Sequence, residues 1–158
     1  MNRTFWKSKK ILVTGGASFI GSHLVDTLIS TNLDVRIVDD LSSGTLENIN
    51  HHIVNKNLEF IKGDLRETSV AKKAVGGIDL IFHLAGDHGG RGYVDLHQAG
   101  PATNLLLDGN VFWQAYKAGV GKIVFASSGC VYPNYLQINP KEKLYLKESQ
   151  VGPPYDAD

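Results

Sequence analysis

The sequence predicts an α/β fold, a parallel sheet with helices on both faces. Three observations carry that expectation. Short apolar runs alternate with longer stretches of helical spacing between residues 11 and 127. The runs are continuously apolar, as strands covered on both faces are. A glycine-rich turn, Thr14-Gly-Gly-Ala-Ser-Phe-Ile-Gly21, joins the first strand to the first helix. Strand, helix, strand in this order implies parallel pairing through right-handed crossovers.

Taken in order, Ile11–Thr14 is apolar, with lysines before it and glycines after it, and reads as a short buried strand. Ser22–Ser30 carries His23, Leu24, Leu28 and Ile29 at helical spacing. Asp34–Asp39 and Leu58–Lys62 read as the second and third strands. Thr68–Val75 is a short helix stopped by Gly76-Gly77. Leu80–Leu84 is the fourth strand, Ala102–Ala118 the longest helix with Gly119 as its stop, and Lys122–Ser127 the fifth strand. Trp113 and Tyr116, at helical spacing with Val120, are expected in the core. After Ser128 prolines 133, 140, 153 and 154 punctuate a polar stretch expected to be mostly loop. The expected organisation is a binding domain over 1–132 and a loop-rich start of a second region over 133–158.

The chain has 158 residues, enough for about one domain. Sixteen basic residues balance sixteen acidic ones. A nucleic-acid binder relies on a basic excess to release counterions, so no nucleic-acid partner is expected. The apolar runs fall far short of the ~20 residues that span a bilayer, and Ile11–Val13 is too short for a signal-peptide core. No membrane partner is expected. With a single cysteine, Cys130, no intramolecular disulfide can form, and a cytoplasmic location is the simplest expectation. The six histidines and one cysteine show no zinc-ligand spacing, so no metal is expected. His83 reads as a satisfied core histidine, and His51-His52 as solvated residues of a polar connector.

The glycine turn has a physical purpose. A helix N-terminus offers unpaired N–H groups and a partial positive charge to a pyrophosphate, and the backbone must come close. Gly15 and Gly16 permit the tight turn, and Gly21 permits close packing of helix on strand. Asp39, followed by Asp40, closes the second strand 18 residues beyond Gly21. A carboxylate there accepts hydrogen bonds from both hydroxyls of an adenosine ribose and repels a 2′-phosphate, which favours NAD over NADP. Arg36 precedes the strand end and is not expected to bind such a phosphate. The fold expected is therefore a Rossmann-type, doubly wound parallel sheet with NAD as its cofactor. Asp39 could also simply start a turn.

Five segments in the same order resemble the extended short-chain dehydrogenase/reductase family, the NAD-dependent nucleotide-sugar epimerases and dehydratases. They are Thr14-Gly-Gly-Ala-Ser-Phe-Ile-Gly-Ser22, Val38-Asp-Asp-Leu-Ser-Ser-Gly44, Gly63-Asp-Leu-Arg66, Phe82-His-Leu-Ala-Gly86 and Ser127-Ser-Gly-Cys-Val-Tyr-Pro133. Ser18 departs from the family's middle glycine. The resemblance implies that Gly15, Ala17, Ser18, Phe19, Ile20 and Gly21 surround the pyrophosphate. Asp39, Asp40, Ser42 and Gly44 would surround the adenosine ribose, and Asp64 and Leu65 would contact adenine. Leu84, Ala85 and Gly86 would lie under the nicotinamide-side ribose, with Asn104 near the cofactor.

The resemblance implies hydride removal from a sugar carbon by NAD, a nucleotide-sugar substrate and a possible homodimer. Ser128 takes the place of a serine that hydrogen-bonds the reacting oxygen. The family's base is the tyrosine of Tyr-x-x-x-Lys, and that pair is missing: the residues four beyond tyrosines 93, 116, 132, 135 and 145 are His97, Val120, Leu136, Asn139 and Ser149, and for Tyr155 the sequence ends before the fourth. The expectation is an N-terminal part of a longer enzyme, inactive alone. Ser128-Gly-Cys-Val-Tyr-Pro133 and the loop Asp87-His-Gly-Gly-Arg-Gly-Tyr-Val94 resemble the GDP-mannose 3,5-epimerase branch. There Cys130 would be an acid/base group, and Gly89, Gly90 and Arg91 would hold the sugar or its diphosphate. Cys130 as a small buried apolar side chain and Arg91 as a solvated loop residue remain open. So does a non-catalytic dinucleotide-binding or redox-sensing module on the same fold.

Overall fold

A computed structural model describes residues 3–6, 8–89, 91–128, 131–136 and 143–151. Five strands form one parallel sheet: β1 (Lys10–Thr14), β2 (Asp34–Asp39), β3 (Leu58–Lys62), β4 (Leu80–His83) and β5 (Lys122–Phe125). Their spatial order is β3-β2-β1-β4-β5. Every neighbouring pair is parallel, with Val13 opposite Ile37 on one side and Phe82 on the other. The chain winds outward from β1 to β3, then returns to place β4 on β1's other side. That reversal between β1 and β4 is where an open α/β sheet leaves a crevice at its carboxyl end.

The helices are α1 (Arg3–Trp6), α2 (Phe19–Ser30), α3 (Thr68–Val75), α4 (Arg91–Leu96), α5 (Ala99–Ala102) and α6 (Asn104–Ala118). Alternation along the strands divides the core in two. Ile11, Val13, Val35, Ile37 and Leu80 pack with Val25, Leu28 and Ile29 of α2. Leu12, Val38, Ile61 and Ile81 pack with Ala71, Ala74 and Val75 of α3 and with Leu107, Val111 and Ala115 of α6. Helices therefore cover both faces, as the apolar runs predict.

Arg36 points to the α3 face and is buried. Its Nη1 donates to the carbonyls of Ala74 (2.8 Å) and Gly76 (2.7 Å), and its Nε to Glu59 (2.9 Å). The guanidinium thus caps the C-terminal carbonyls of α3 and is committed to the fold.

Several boundaries differ from expectation. Helix α2 begins at Phe19, three residues before Ser22, because the glycine turn is tighter than hydropathy shows. Strand β5 stops at Phe125, β4 stops at His83, and α6 starts at Asn104 after the separate turn of α5. Trp113 and Tyr116 are not in the core: they are 55% and 77% exposed. The stripe of α6 that meets the sheet is Leu107, Val111 and Ala115, four residues apart, and Trp113 and Tyr116 fall outside it. They stack on one another, with Lys117 over the Trp113 ring at 4.7 Å.

The chain divides into two compact units, Met1–Phe125 and Ala126–Asp158. The second holds 3₁₀ turns at Asn134–Leu136 and Glu148–Gln150. Among the described residues, no helix is long and apolar enough to cross a membrane.

Candidate nucleotide-binding site

The loops leaving β1, β2 and β4 meet at the carboxyl end of the sheet. Gly15 has a left-handed backbone (φ 68°), which favours glycine, and a Cβ there would stand 3.1 Å from the Ala85 backbone. Its N–H donates to the Val38 carbonyl at 2.9 Å. A Cβ on Gly21 would strike the Gly15 carbonyl oxygen and come within 2.8 Å of the Gly16 Cα. The turn and the first turn of α2 are thus in direct backbone contact.

Ser18 precedes α2 in an extended conformation, and its side chain makes no capping hydrogen bond. No acidic residue occupies the first turn. The leading N–H groups of α2, which have no partner within the helix, are therefore left for an incoming anion. Phe19 and Ile20 stand largely exposed at this end.

Asp39 is buried and holds two loops at once. Its Oδ2 accepts the Ala17 N–H (2.9 Å) and its Oδ1 accepts the Leu41 N–H (2.9 Å). Each oxygen keeps a second lone pair for a ligand hydroxyl. The segment after β2 closes back on the glycine turn: the Ala17 carbonyl accepts from Thr45 N–H (3.2 Å) and Asn48 Nδ2 (2.8 Å). A Cβ on Gly44 would come within 2.8 Å of the Ala17 carbonyl carbon.

A polar rim continues from there. Asp40 accepts from Ser42 Oγ (2.6 Å) and Ser42 N–H (2.8 Å). Arg66 grips Asp64, Nε donating to both carboxylate oxygens and Nη2 lying 2.8 Å from Oδ2, and it reaches 3.9 Å from Asp40. The hydrogen bond from Arg66 holds the Asp64 carboxyl below its ordinary range. Leu65 packs in the core, so only its backbone is available at the rim.

Beneath the turn lies a chain of hydrogen bonds that the sequence pattern does not reveal. Thr14 Oγ1 accepts the N–H groups of Leu84 and Ala85, both at 3.0 Å. With both lone pairs used, its proton goes to His83 Nδ1 at 2.7 Å. The remaining ring proton sits on Nε2 and is donated to Asp108 of α6 at 3.1 Å. Burial pushes the His83 pKa down, against the opposing pull of Asp108. His83 is thus neutral and satisfied, and it ties β1, β4 and α6 together at the chain-reversal point. A threonine at a strand end and an aspartate in a distant helix give no local sign of this.

Asn104 also acts on a loop. Its Oδ1 accepts the Asp87 N–H (2.8 Å) and its Nδ2 donates to the Asp87 carbonyl (2.8 Å), which fixes the strand-exit segment next to Gly86. Gly89 lies against Tyr93. Arg91 opens α4. Gly90 and Cys130 lie outside the described residues. Ser128 belongs to the second unit, where its carbonyl accepts the Val131 N–H at 3.3 Å. The structure thus brings together the residues expected around a pyrophosphate and an adenosine, and adds Thr14, Arg66, His83 and Asp108.

His51 and His52 are not simply solvated. Both meet the Asp26 carboxylate of α2.

The sequence profile of a family described as "NAD dependent epimerase/dehydratase family" matches residues 11–157. A protein of Methanocaldococcus jannaschii, whose name assigns it provisionally to the UDP-glucose 4-epimerases, is 40% identical over 138 residues (85% of this chain, 44% of its own). GDP-mannose 3,5-epimerase 1 of Oryza sativa subsp. japonica is 33% identical over 160 residues, 97% of this chain and 40% of its own. The structure of a Thermus thermophilus UDP-glucose 4-epimerase in complex with NAD superposes with a TM-score of 0.71 at 31% identity, over 89% of this chain and 43% of that one. This chain therefore spans less than half the length of the relatives it matches.

Proposed function

The chain belongs to the NAD-dependent epimerase/dehydratase family, and from that premise we propose that it is the NAD-holding part of a nucleotide-sugar epimerase or dehydratase. The observation that carries the reading is the double hold of Asp39 on Ala17 and Leu41. It makes the phosphate-side turn and the ribose-side acid one preorganised unit, with spare acceptor capacity aimed at a diol. The cradle fits the cofactor: Gly21 leaves no room for a Cβ, Gly15 holds a left-handed backbone close against Ala85, and the amino end of α2 is uncapped by a side chain.

In this assignment the α2 amino end and residues 15–21 hold the pyrophosphate. Asp39, Asp40, Ser42 and Gly44 hold the adenosine ribose, and Asp64 and the Leu65 backbone take the adenine edge. Leu84, Ala85 and Gly86 form the floor, kept in place by Thr14 and by Asn104 through Asp87. NAD, when bound, supplies a hydride acceptor for a sugar carbon. Gly89, Gly90 and Arg91 are assigned to the sugar diphosphate, Ser128 to the reacting oxygen and Cys130 to acid/base exchange beside it. None of tyrosines 93, 116, 132, 135 and 145 precedes a lysine by four, so the proposal assigns the hydroxyl base to none of them. The chain alone is expected to bind NAD without turnover.

Calorimetric titration tests this. The folded chain should bind NAD, bind NADP more weakly, and lose NAD on Asp39→Ala, with circular dichroism confirming the fold. A folded chain that ignores NAD at millimolar concentration would overturn the reading. So would NADP binding as tightly as NAD.

A further inference from the structure

We infer that Asp26, His51 and His52 form a site for a divalent transition-metal ion of the zinc type, linking helix α2 to the segment that follows β2. One ligand atom from each residue lies within 4.8 Å of the other two. Asp26 Oδ1 faces His51 Nε2 at 2.9 Å and His52 Nε2 at 2.8 Å. Two imidazole nitrogens converging on one carboxylate oxygen is a borderline donor set. It suits zinc, nickel or copper and not magnesium or calcium, which want oxygen alone.

The dimensions are close to what such an ion requires. Metal–nitrogen and metal–oxygen distances of about 2.0–2.2 Å in a tetrahedron place ligand atoms roughly 3.3 Å apart. Opening the two Asp26–histidine distances by about half an ångström reaches that spacing, with the hydrogen bonds exchanged for bonds to the ion. Three protein ligands would leave a fourth position to water.

The groups are also held in place. The two histidines occupy consecutive positions of the 3₁₀ turn Asn50–His52. That turn is fixed by the His52 N–H on the Ile49 carbonyl (2.9 Å) and the Asn55 N–H on the His52 carbonyl (2.8 Å). Ile49 is fully buried beneath it in the α2-side core. Asp26 stands beside Val25, which packs into the same core. His52 and Asp26 are partly buried and His51 is exposed, so the ion would sit at the surface with its open position toward solvent.

Asp26 lies seven residues beyond the start of α2, roughly 10 Å along the helix axis from the candidate phosphate end. The site is therefore separate from the nucleotide cradle. It is nonetheless mechanically tied to it, because the same segment after β2 holds Ala17 through Thr45 and Asn48.

The test is titration of chelator-treated chain with Zn²⁺, with Co²⁺ as a spectroscopic probe and Mg²⁺ as a control. One Zn²⁺ per chain is expected, no Mg²⁺ binding, and a Co²⁺ visible spectrum of tetrahedral intensity. Asp26→Asn and His52→Ala should each weaken Zn²⁺ binding at least about tenfold and abolish the Co²⁺ bands, while His97→Ala leaves both unchanged. Circular dichroism and thermal melting of the metal-free variants confirm that they fold, and His52→Gln serves if His52→Ala does not. Failure of the unsubstituted chain to bind Zn²⁺ overturns the inference, as does undiminished binding by folded Asp26→Asn. Neither result depends on whether the chain binds NAD.

Discussion

Strands β1 and β5 both open with Lys-Ile and continue apolar, as Lys-Ile-Leu-Val-Thr and Lys-Ile-Val-Phe, yet have opposite surroundings. From Ile11 onward β1 is fully buried, whereas Val124 and Phe125 of β5 are 39% and 44% exposed. The cause is position. β1 has a strand on each side and helices over both faces, while β5 lies at the sheet's edge with β4 as its only partner among the described residues. Composition shows that a strand will form; the number of neighbours decides what its burial contributes.

The largest effect should therefore come from the centre of the sheet. Ile81 on β4 is fully buried between β1 and the α3/α6 layer. Ile81→Ala should cost about 2–5 kcal/mol in urea unfolding, the range for a large-to-small change where the site cannot collapse. A loss near zero would mean that the centre repacks as freely as an edge.

Next comes the polar pin at the same centre. Thr14→Val keeps the volume and removes the hydroxyl, leaving the Leu84 and Ala85 N–H groups and His83 Nδ1 without the partner they share. Stability should fall by about 2–3 kcal/mol. The NAD affinity expected of the chain should fall with it, because the loop after β4 loses its anchor. A neutral outcome would show that water replaces the hydroxyl.

That pin explains why the site was harder to read than the fold. The five strands, their parallel pairing and helices α2, α3 and α6 follow from apolar runs and glycine stops, which are local. Asp39 was legible as an acid at a strand end, but its grip on Ala17 crosses 22 residues. His83 was legible as a core histidine, yet its partners Thr14 and Asp108 stand 69 and 25 residues away. His51 and His52 read as solvated because their shared partner, Asp26, lies in a different element. Trp113 and Tyr116 misled because a three-residue spacing marks a helical face without saying which face meets the sheet.

A smaller, pH-dependent effect sharpens the same contrast. Burial lowers the His83 pKa in the folded chain, so the unfolded chain takes the proton first as pH falls through about 6.5. The neutral histidine's contribution is complete above that value and is lost below it, down toward the folded pKa. The hydrogen-bonded carboxylates behave differently. Asp64 is depressed by the Arg66 hydrogen bond, and in Glu59 burial is outweighed by Arg36 and Lys10, so their contributions persist until pH falls below about 4. Urea midpoints between pH about 7.5 and 5 should therefore decline before those carboxylates titrate. An NMR titration in which the His83 ring protonates at or above about 6.5 would contradict this.

The smallest effect belongs to the edge. Val124→Ala removes two methyl groups that already touch water, and should cost less than about 1 kcal/mol in the same unfolding assay. The comparison breaks if the loss approaches that of Ile81→Ala, since an exposed valine has no cavity to leave behind. In that case another surface must cover β5 in solution, and mass action would make the melting temperature rise with protein concentration. Melting the unsubstituted chain across a dilution series separates the outcomes: a constant midpoint keeps β5 an open edge, and a rising one makes it a contact between copies.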